Sequence, residues 1–466
     1  MSLDKFFNPK SVAVIGASRT PGKLGYTIFE NLKMSFKGSL YPINPNAGEI
    51  LGIMAYPSVL DVPEPIESAV IVIPAENVKN VLLECLKKKI EHITIISSGF
   101  SEIGEKEKEL EFLKIKKDAR IIGPNCLGIY KKDMDMIFIP RSRLKRPLDG
   151  SISFITQSGA FGSILLDIMA NDGVGVSKFI SIGNKIDVDE IELLKYLEND
   201  LSTRCISIYL ESIKNGEEFI KVAKRVSQKK PIVVFKAGKT DKGNDAVASH
   251  TGALAGSSAI YSAAFKQSGV IEANTFEDIL DFSKALANQP VMKNKKIAIV
   301  TDGGGFGIVA TDTAINLGLE LPSLSDSSVK ALKNFLPKYA STKNPIDLTG
   351  DATSERYEKA MEIVLKDNNI SGVVCITLMQ IPTMSEDIVD VLRECKVFGK
   401  PITVCSAGSH YVSEINRKLE GFGIPVYPSP ERAVKALNAL YEYGTILKKE
   451  EPQKTVVEKK IEKKKK

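Results

Sequence analysis

Three times along this 466-residue chain, an apolar run rich in Val and Ile ends in a glycine-containing turn and opens into a helix-like stretch. The instances are SVAVIGAS (Ser11 to Ser18), SISFITQSGAFG (Ser151 to Gly162) and KIAIVTDGGGFG (Lys296 to Gly307). Strands without a polar face need cover on both sides, so the pattern predicts an α/β chain of parallel, doubly wound sheets flanked by helices. It is also chemically suggestive. Glycine lets backbone N–H groups approach a ligand, and a helix start presents unpaired donors and partial positive charge. Three such turns are three potential anion sites, although the same turn serves a purely structural purpose in many doubly wound domains.

Basic, proline-containing stretches at Pro140 to Gly150 and Asn288 to Lys296 divide the chain into units at 1–146, 147–291 and 292–446. Each is long enough to hold a core of its own. A lysine-rich tail, 447–466, is expected to be disordered. Nine lysines against four glutamates lie between Lys448 and Lys466, so the net charge of +6 belongs to this tail and the remaining chain is nearly neutral. With no Trp and no interleaving of aromatic and basic residues, nucleic acid is not expected as a partner. No apolar run reaches the roughly 18 residues of a membrane span, and the first residues do not read as an export leader. The six cysteines are scattered without CxxC or Cys/His ligand spacing, so no metal site is expected, and a cytoplasmic chain with reduced thiols is the plain reading.

In the first unit, Gly16, Ser18, Gly22, Lys23 and Gly25 follow the first strand in the position of a nucleotide-binding turn, without the strict GxGxxG spacing. The next strand ends at Asn44-Pro45-Asn46, where a nicotinamide-dinucleotide site would carry an acidic residue. That counts against an NAD(P) oxidoreductase. Lys23 is a candidate for meeting a phosphate, with Asn46, Ser97, Ser98, Gly99 and Asn125 at later strand ends as further candidates.

Only three histidines occur. His92 precedes a strand and reads as a surface position, and His410 as a loop or cap residue. His250 lies in a stretch of small residues from Gly238 to Ser258, which reads as one long functional loop. Neutral imidazole can attack phosphorus and form an energetic phosphoramidate. Glu211, at the end of another apolar strand, is the candidate to orient it. Gln157, Ser158, Gly159 and Ala160 offer one phosphate cradle in the same unit, and Gly304 and Gly305 a second in the third.

VASHTGALAG, ITQSGAFG, IGPNCLG, NPKSVAVIGAS and TDGGGFG, in that family's order, resemble the α subunits of ADP-forming acetate–CoA ligase, relatives of succinyl-CoA synthetase. The resemblance runs from Met1 to about Gly444. It implies a Rossmann-like CoA-binding domain followed by two flavodoxin-like ligase domains, with His250 as the phosphohistidine and Glu211 stabilising it. It also implies acyl-CoA, phosphate and ADP as substrates, with ADP and Mg²⁺ held on a separate β subunit with an ATP-grasp domain in an α₂β₂ assembly. No counterpart of that module is found in this chain. A competing expectation is a non-catalytic, CoA-binding regulatory or scaffold protein.

Overall fold

The computed structural model describes residues 2–251 and 257–449 and contains three parallel-type sheets of buried apolar strands. In the first unit lie β1 (Ser11–Ile15), β2 (Ser39–Ile43), the small hairpin β3 (Glu49–Ile50) and β4 (Ile53–Met54), then β5 (Ser68–Ile71), β6 (His92–Ile95) and β7 (Arg120–Ile122). Its sheet order is β2-β1-β5-β6-β7, all parallel, with the hairpin outside. The second sheet takes β8 (Ile129–Lys131), β9 (Met134–Asp135), β10 (Asp149–Thr156), β11 (Val176–Ser181), β12 (Cys205–Leu210), β13 (Ile232–Lys236) and β14 (Ile271–Ala273) in the order β14-β13-β12-β10-β11-β8-β9. Its last two strands run antiparallel at the edge, although they precede residue 147 in the chain. The third sheet, order β16-β15-β17-β18-β19, is built from β15 (Ile297–Thr301), β16 (Ile346–Asp347), β17 (Gly372–Ile376), β18 (Ile402–Cys405) and β19 (Val426–Tyr427).

One feature of this order repeats. Beside β1, β10 and β15 the next strand in the chain lies on one side and the later strands on the other. Where strand order reverses in this way, the connections diverge and leave a crevice at the carboxyl end. Each of the three glycine-containing turns leaves one of these three strands.

A cluster around Val300, Leu332 and Met361 lies wholly in the third unit, but two others cross the lines between units. One apolar cluster joins Phe6, Phe7 and Ile28 to Ile180, Leu193 and Leu194, and another joins Phe154 and Ile279 to Ile297, Tyr427 and Leu437. The second of these joins comes from the apolar faces of two helices, Phe276–Asn288 and Pro430–Lys449, which cover each other across the line between the second and third units. Across the same line, buried Lys284 and Glu420 pair at 2.7 Å and Arg432 pairs with Asp281 at 2.6 Å.

Two expectations about single residues change. His92 is buried, not superficial: its ring meets Phe6 edge-on at 5.0 Å, and Nε2 donates to the Ser2 carbonyl at 2.8 Å. The N-terminal turn Asp4–Phe6 folds over the start of β6 and covers it. The stretch from Gly238 to Ser258 is not one loop. Residues Asp241–Thr251 form a helix, and a second helix runs Ser258–Ser268. Thr240 caps the first, its Oγ1 accepting from Gly243 N at 3.1 Å, and Val247 is buried. Small residues mask such a helix because they leave little apolar periodicity to read. His410 opens the helix His410–Gly421 with its side chain exposed. All six thiols are free and buried. Among the described residues, no helix is long and apolar enough to cross a membrane.

Candidate functional site

The crevice beside β1 and the crevice beside β10 meet in one cleft of about 1070 Å³. From the first unit it is lined by Gly16, Ser18, Gly22, Lys23, Gly25, Ser97, Ser98 and Asn125. From the second it is lined by Gln157, Ser158, Gly159 and Ala160.

The turn after β1 is built on two close approaches. Gly16 has φ +94°, and a Cβ there would meet the Val72 carbonyl oxygen at 2.3 Å. A Cβ on Gly25 would meet the Gly16 carbonyl oxygen at 1.9 Å, so the helix Leu24–Ser35 starts directly against the turn. Ser97 Oγ accepts from Ile73 N at 3.1 Å and donates to Ile73 O at 2.5 Å, tying the ends of β5 and β6 together. Asn125, at φ +57°, donates through Nδ2 to Asn184 Oδ1 at 3.2 Å. Asn184 in turn donates to Glu102 at 2.6 Å, linking the two units at the rim.

Two candidates stand outside this lining. Asn46 is exposed, while Asn44 turns inward and donates to the Ala17 carbonyl at 2.7 Å, leaving Asn44 at the cleft. Gly99 donates its N–H to Glu102 at 2.5 Å, and that bond carries the chain away into the turn Ser101–Ile103. Leu127, Phe138, Ile139 and Ser163 also line the cleft and were missed, because Leu127, Phe138 and Ile139 are apolar and read as core in a sequence.

The helix Gly159–Asp172 starts at Ser158, whose Oγ accepts from Phe161 N at 3.3 Å. Thr156 Oγ1 accepts from Ser158 N at 3.1 Å and donates to Ser158 O at 2.7 Å. The third unit repeats the device, with Thr301 Oγ1 accepting from Gly303 N and donating to Gly303 O, both at 3.0 Å. The helix there, Gly304–Asn316, begins at a different hollow of about 380 Å³, lined by Thr301, Gly304, Gly307, Ser341 and Asp347 among others. Gly304 and Gly305 are thus placed at a separate helix start, and Gly305 is not part of that lining.

Glu211 follows β12 and is buried next to the cleft. Its N–H donates to Gln157 Oε1 at 2.6 Å, and Ser212 N–H donates to the same oxygen at 3.1 Å. Gln157 therefore spends its carbonyl on positioning Glu211. Below, buried Lys185 pairs with Glu190 at 2.9 Å and donates to the Ser212 carbonyl at 2.5 Å. Burial lowers the pKa of Lys236, with Glu211 nearby drawing it the other way. Burial, and then Glu211, push the Tyr209 hydroxyl up. His250 falls on the helix Asp241–Thr251, which packs beside the turn Ser101–Ile103; its side chain lies outside the described residues. Among the described residues, no group of three or more His, Cys, Asp or Glu side chains is placed to hold a metal ion.

The chain is 43% identical to the α subunit of acetate–CoA ligase [ADP-forming] I from Pyrococcus furiosus, over 95% of this chain and 98% of that one. It belongs to the family of ADP-forming acetate–CoA ligase α subunits. As a member of this ligase family it carries matches to three domain families: a CoA binding domain over residues 10–132, a succinyl-CoA ligase like flavodoxin domain over 149–286, and a ligase-CoA domain over 297–448. A single-chain acetate–CoA ligase [ADP-forming] I from Archaeoglobus fulgidus is 41% identical over 96% of this chain, which spans 64% of its length. The solved dinucleotide-forming acetyl-coenzyme A synthetase 1 of Ca. Korarchaeum cryptofilum, in complex with phosphate and ADP, superposes with a TM-score of 0.90 at 39% identity, over 96% of this chain and 98% of that chain.

Proposed function

We propose that the chain converts acyl-CoA, phosphate and ADP reversibly into carboxylic acid, CoA and ATP, through an acyl phosphate and a phosphohistidine at His250. The observation that carries this reading is the single cleft in which the glycine turn after β1 faces the capped helix start after β10. Coenzyme A suits the first half, where Gly16 and Gly25 let the helix Leu24–Ser35 start directly against the turn and Lys23 supplies positive charge. Phosphate suits the second, where Gly159 and Ala160 line the cleft as the first residues of a 14-residue helix, the end that carries partial positive charge.

With both substrates in one cleft, a phosphate oxygen attacks the thioester carbonyl. The C–S bond breaks, and the CoA thiolate departs with the acyl phosphate left at the helix start. An imidazole nitrogen of His250 then attacks phosphorus, and the carboxylate leaves with the electrons of the P–O bond. Glu211 accepts from the other ring nitrogen and balances the imidazolium charge, and Gln157 and Lys185 fix its strand end. The phosphoryl group passes to ADP on a separate β subunit carrying an ATP-grasp domain, in an α₂β₂ assembly. Mg²⁺ bound there with the nucleotide supplies charge neutralisation.

The test mixes this chain with a β partner, terminally labelled ATP and Mg²⁺. Label is expected on the wild-type chain and not on His250→Ala, and acyl-CoA-dependent ATP synthesis is expected to fall at least 1000-fold. Equal labelling of His250→Ala would remove the phosphohistidine. Robust turnover by this chain alone would remove the separate partner.

A further inference from the structure

We infer that Tyr209 is a positioning residue for Glu211: its phenol hydroxyl donates to the carboxylate and holds it in place to accept from His250. The inference rests on the reading above and adds to it a residue of the apolar strand β12. Tyr209 lies two positions before Glu211 at the carboxyl end of that strand, and side chains two apart in an extended chain share a face. Gln157 brackets the pair, since its N–H donates to the Tyr209 carbonyl at 3.3 Å while its side-chain oxygen accepts from Glu211 N at 2.6 Å. The Tyr209 hydroxyl hydrogen-bonds to Glu211, and burial together with that carboxylate keeps the phenol protonated, so the phenol is the donor.

The ring cannot swing away. It is half-buried, with its centroid 4.1 Å from that of Phe161, the residue whose N–H donates to Ser158 at the helix start assigned to phosphate. Phe235, its register partner on β13, stacks on it at 5.9 Å, and Phe276 meets Phe161 edge-on at 5.0 Å. A ring packed on its faces in this way sends its one polar atom in a fixed direction. Tyr209 is not part of the cleft lining, so it acts through Glu211 and not on CoA or phosphate. The charged neighbour of Glu211 from β13 is buried Lys236, whose Nζ donates to the Ala237 carbonyl and lies 4.6 Å from the Tyr261 ring centroid. Lys185, beneath, is taken up by Glu190 and the Ser212 carbonyl. The phenol is thus a neutral donor among cations that are already engaged.

The experiment measures how fast terminally labelled ATP and Mg²⁺ label the full chain in the presence of its β partner, across a range of pH, for wild type, Tyr209→Phe and Phe235→Leu. Tyr209→Phe removes one oxygen and keeps the ring, whereas Phe235→Leu loosens the ring cluster and keeps the hydroxyl. A carboxylate that loses a hydrogen-bond donor takes up its proton at higher pH. The acid limb of the labelling rate is therefore expected to move up by about one pH unit in Tyr209→Phe. In Phe235→Leu the limb is expected to stay where the wild type has it. An unmoved limb in Tyr209→Phe, or an equal movement in both variants, would overturn the positioning role alone. No label on the wild type at any pH would overturn the reading beneath it as well.

Discussion

Gly25 shows how little freedom a single position has here. It sits in the first turn of the helix Leu24–Ser35, where alanine would ordinarily be the better helix former. Yet a Cβ would stand 1.9 Å from the Gly16 carbonyl oxygen, a backbone atom that cannot move aside without shifting the turn. Steric overlap outweighs propensity. Gly25→Ala is expected to lower stability by about 3 kcal/mol in urea unfolding and to weaken CoA binding in titration. An unchanged unfolding midpoint would show that the helix does not start against the turn. Gln157 carries a comparable constraint of another kind, since one carboxamide oxygen satisfies two buried backbone donors, those of Glu211 and Ser212.

At the scale of elements, Asp302 ties β15 to β17. It follows β15, and its carboxylate accepts from Leu378 N at 3.0 Å just beyond β17. Burial pushes its pKa up from 3.8 to about 6, and the Leu378 amide offsets only part of that. The folded pKa lies above the unfolded one, so the native state holds its proton longer. The stability it contributes is complete below about pH 4 and is lost as pH rises through 6, a change of roughly 3 kcal/mol. Asp302→Asn is expected to flatten the fall in unfolding free energy between pH 4 and 7, measured in urea. A slope equal to that of the wild type would assign the titration to another group. The helix Asp241–Thr251 teaches a related lesson. Its cap on Thr240 and its buried Val247 decide its structure, and neither stands out in a stretch of Gly, Ala, Ser and Asp.

For the whole molecule, the join between the second and third units is part of the core. Lys284 and Glu420 are both buried there, and Lys284 lies 4.3 Å from the Tyr427 ring. A buried pair costs desolvation to make, but removing one partner leaves a charge without compensation. Lys284→Ala is expected to destabilise the chain by about 3–5 kcal/mol, whereas Lys284→Met combined with Glu420→Leu restores most of that loss. Thermal and urea unfolding of the three variants measure this. A loss below about 1 kcal/mol in Lys284→Ala would mean the pair is solvated. The first and second units are joined in the same manner, through the cluster that links Phe6, Phe7 and Ile28 to Ile180, Leu193 and Leu194, and their strand ends share one cavity.

The three strand–turn–helix openings, and with them the α/β class and parallel sheets, were legible from residues alone. Strands such as Ser11–Ile15 and Ile297–Thr301 are buried on both faces, and a run with no exposed side has no other stable place. The turn read at Gln157 to Ala160 likewise opens into a helix, Gly159–Asp172. What the chain order could not disclose was which turns face each other. Gly16 and Ser158 meet in one cleft while Gly304 opens on another hollow, and that depends on how the units pack. The burial of His92, the place of Asn44 rather than Asn46 at the cleft, and the presence of Phe138 in its lining are also tertiary outcomes. Each turns on what covers a residue from a distant part of the chain, and periodicity records a residue's face without recording what lies opposite it.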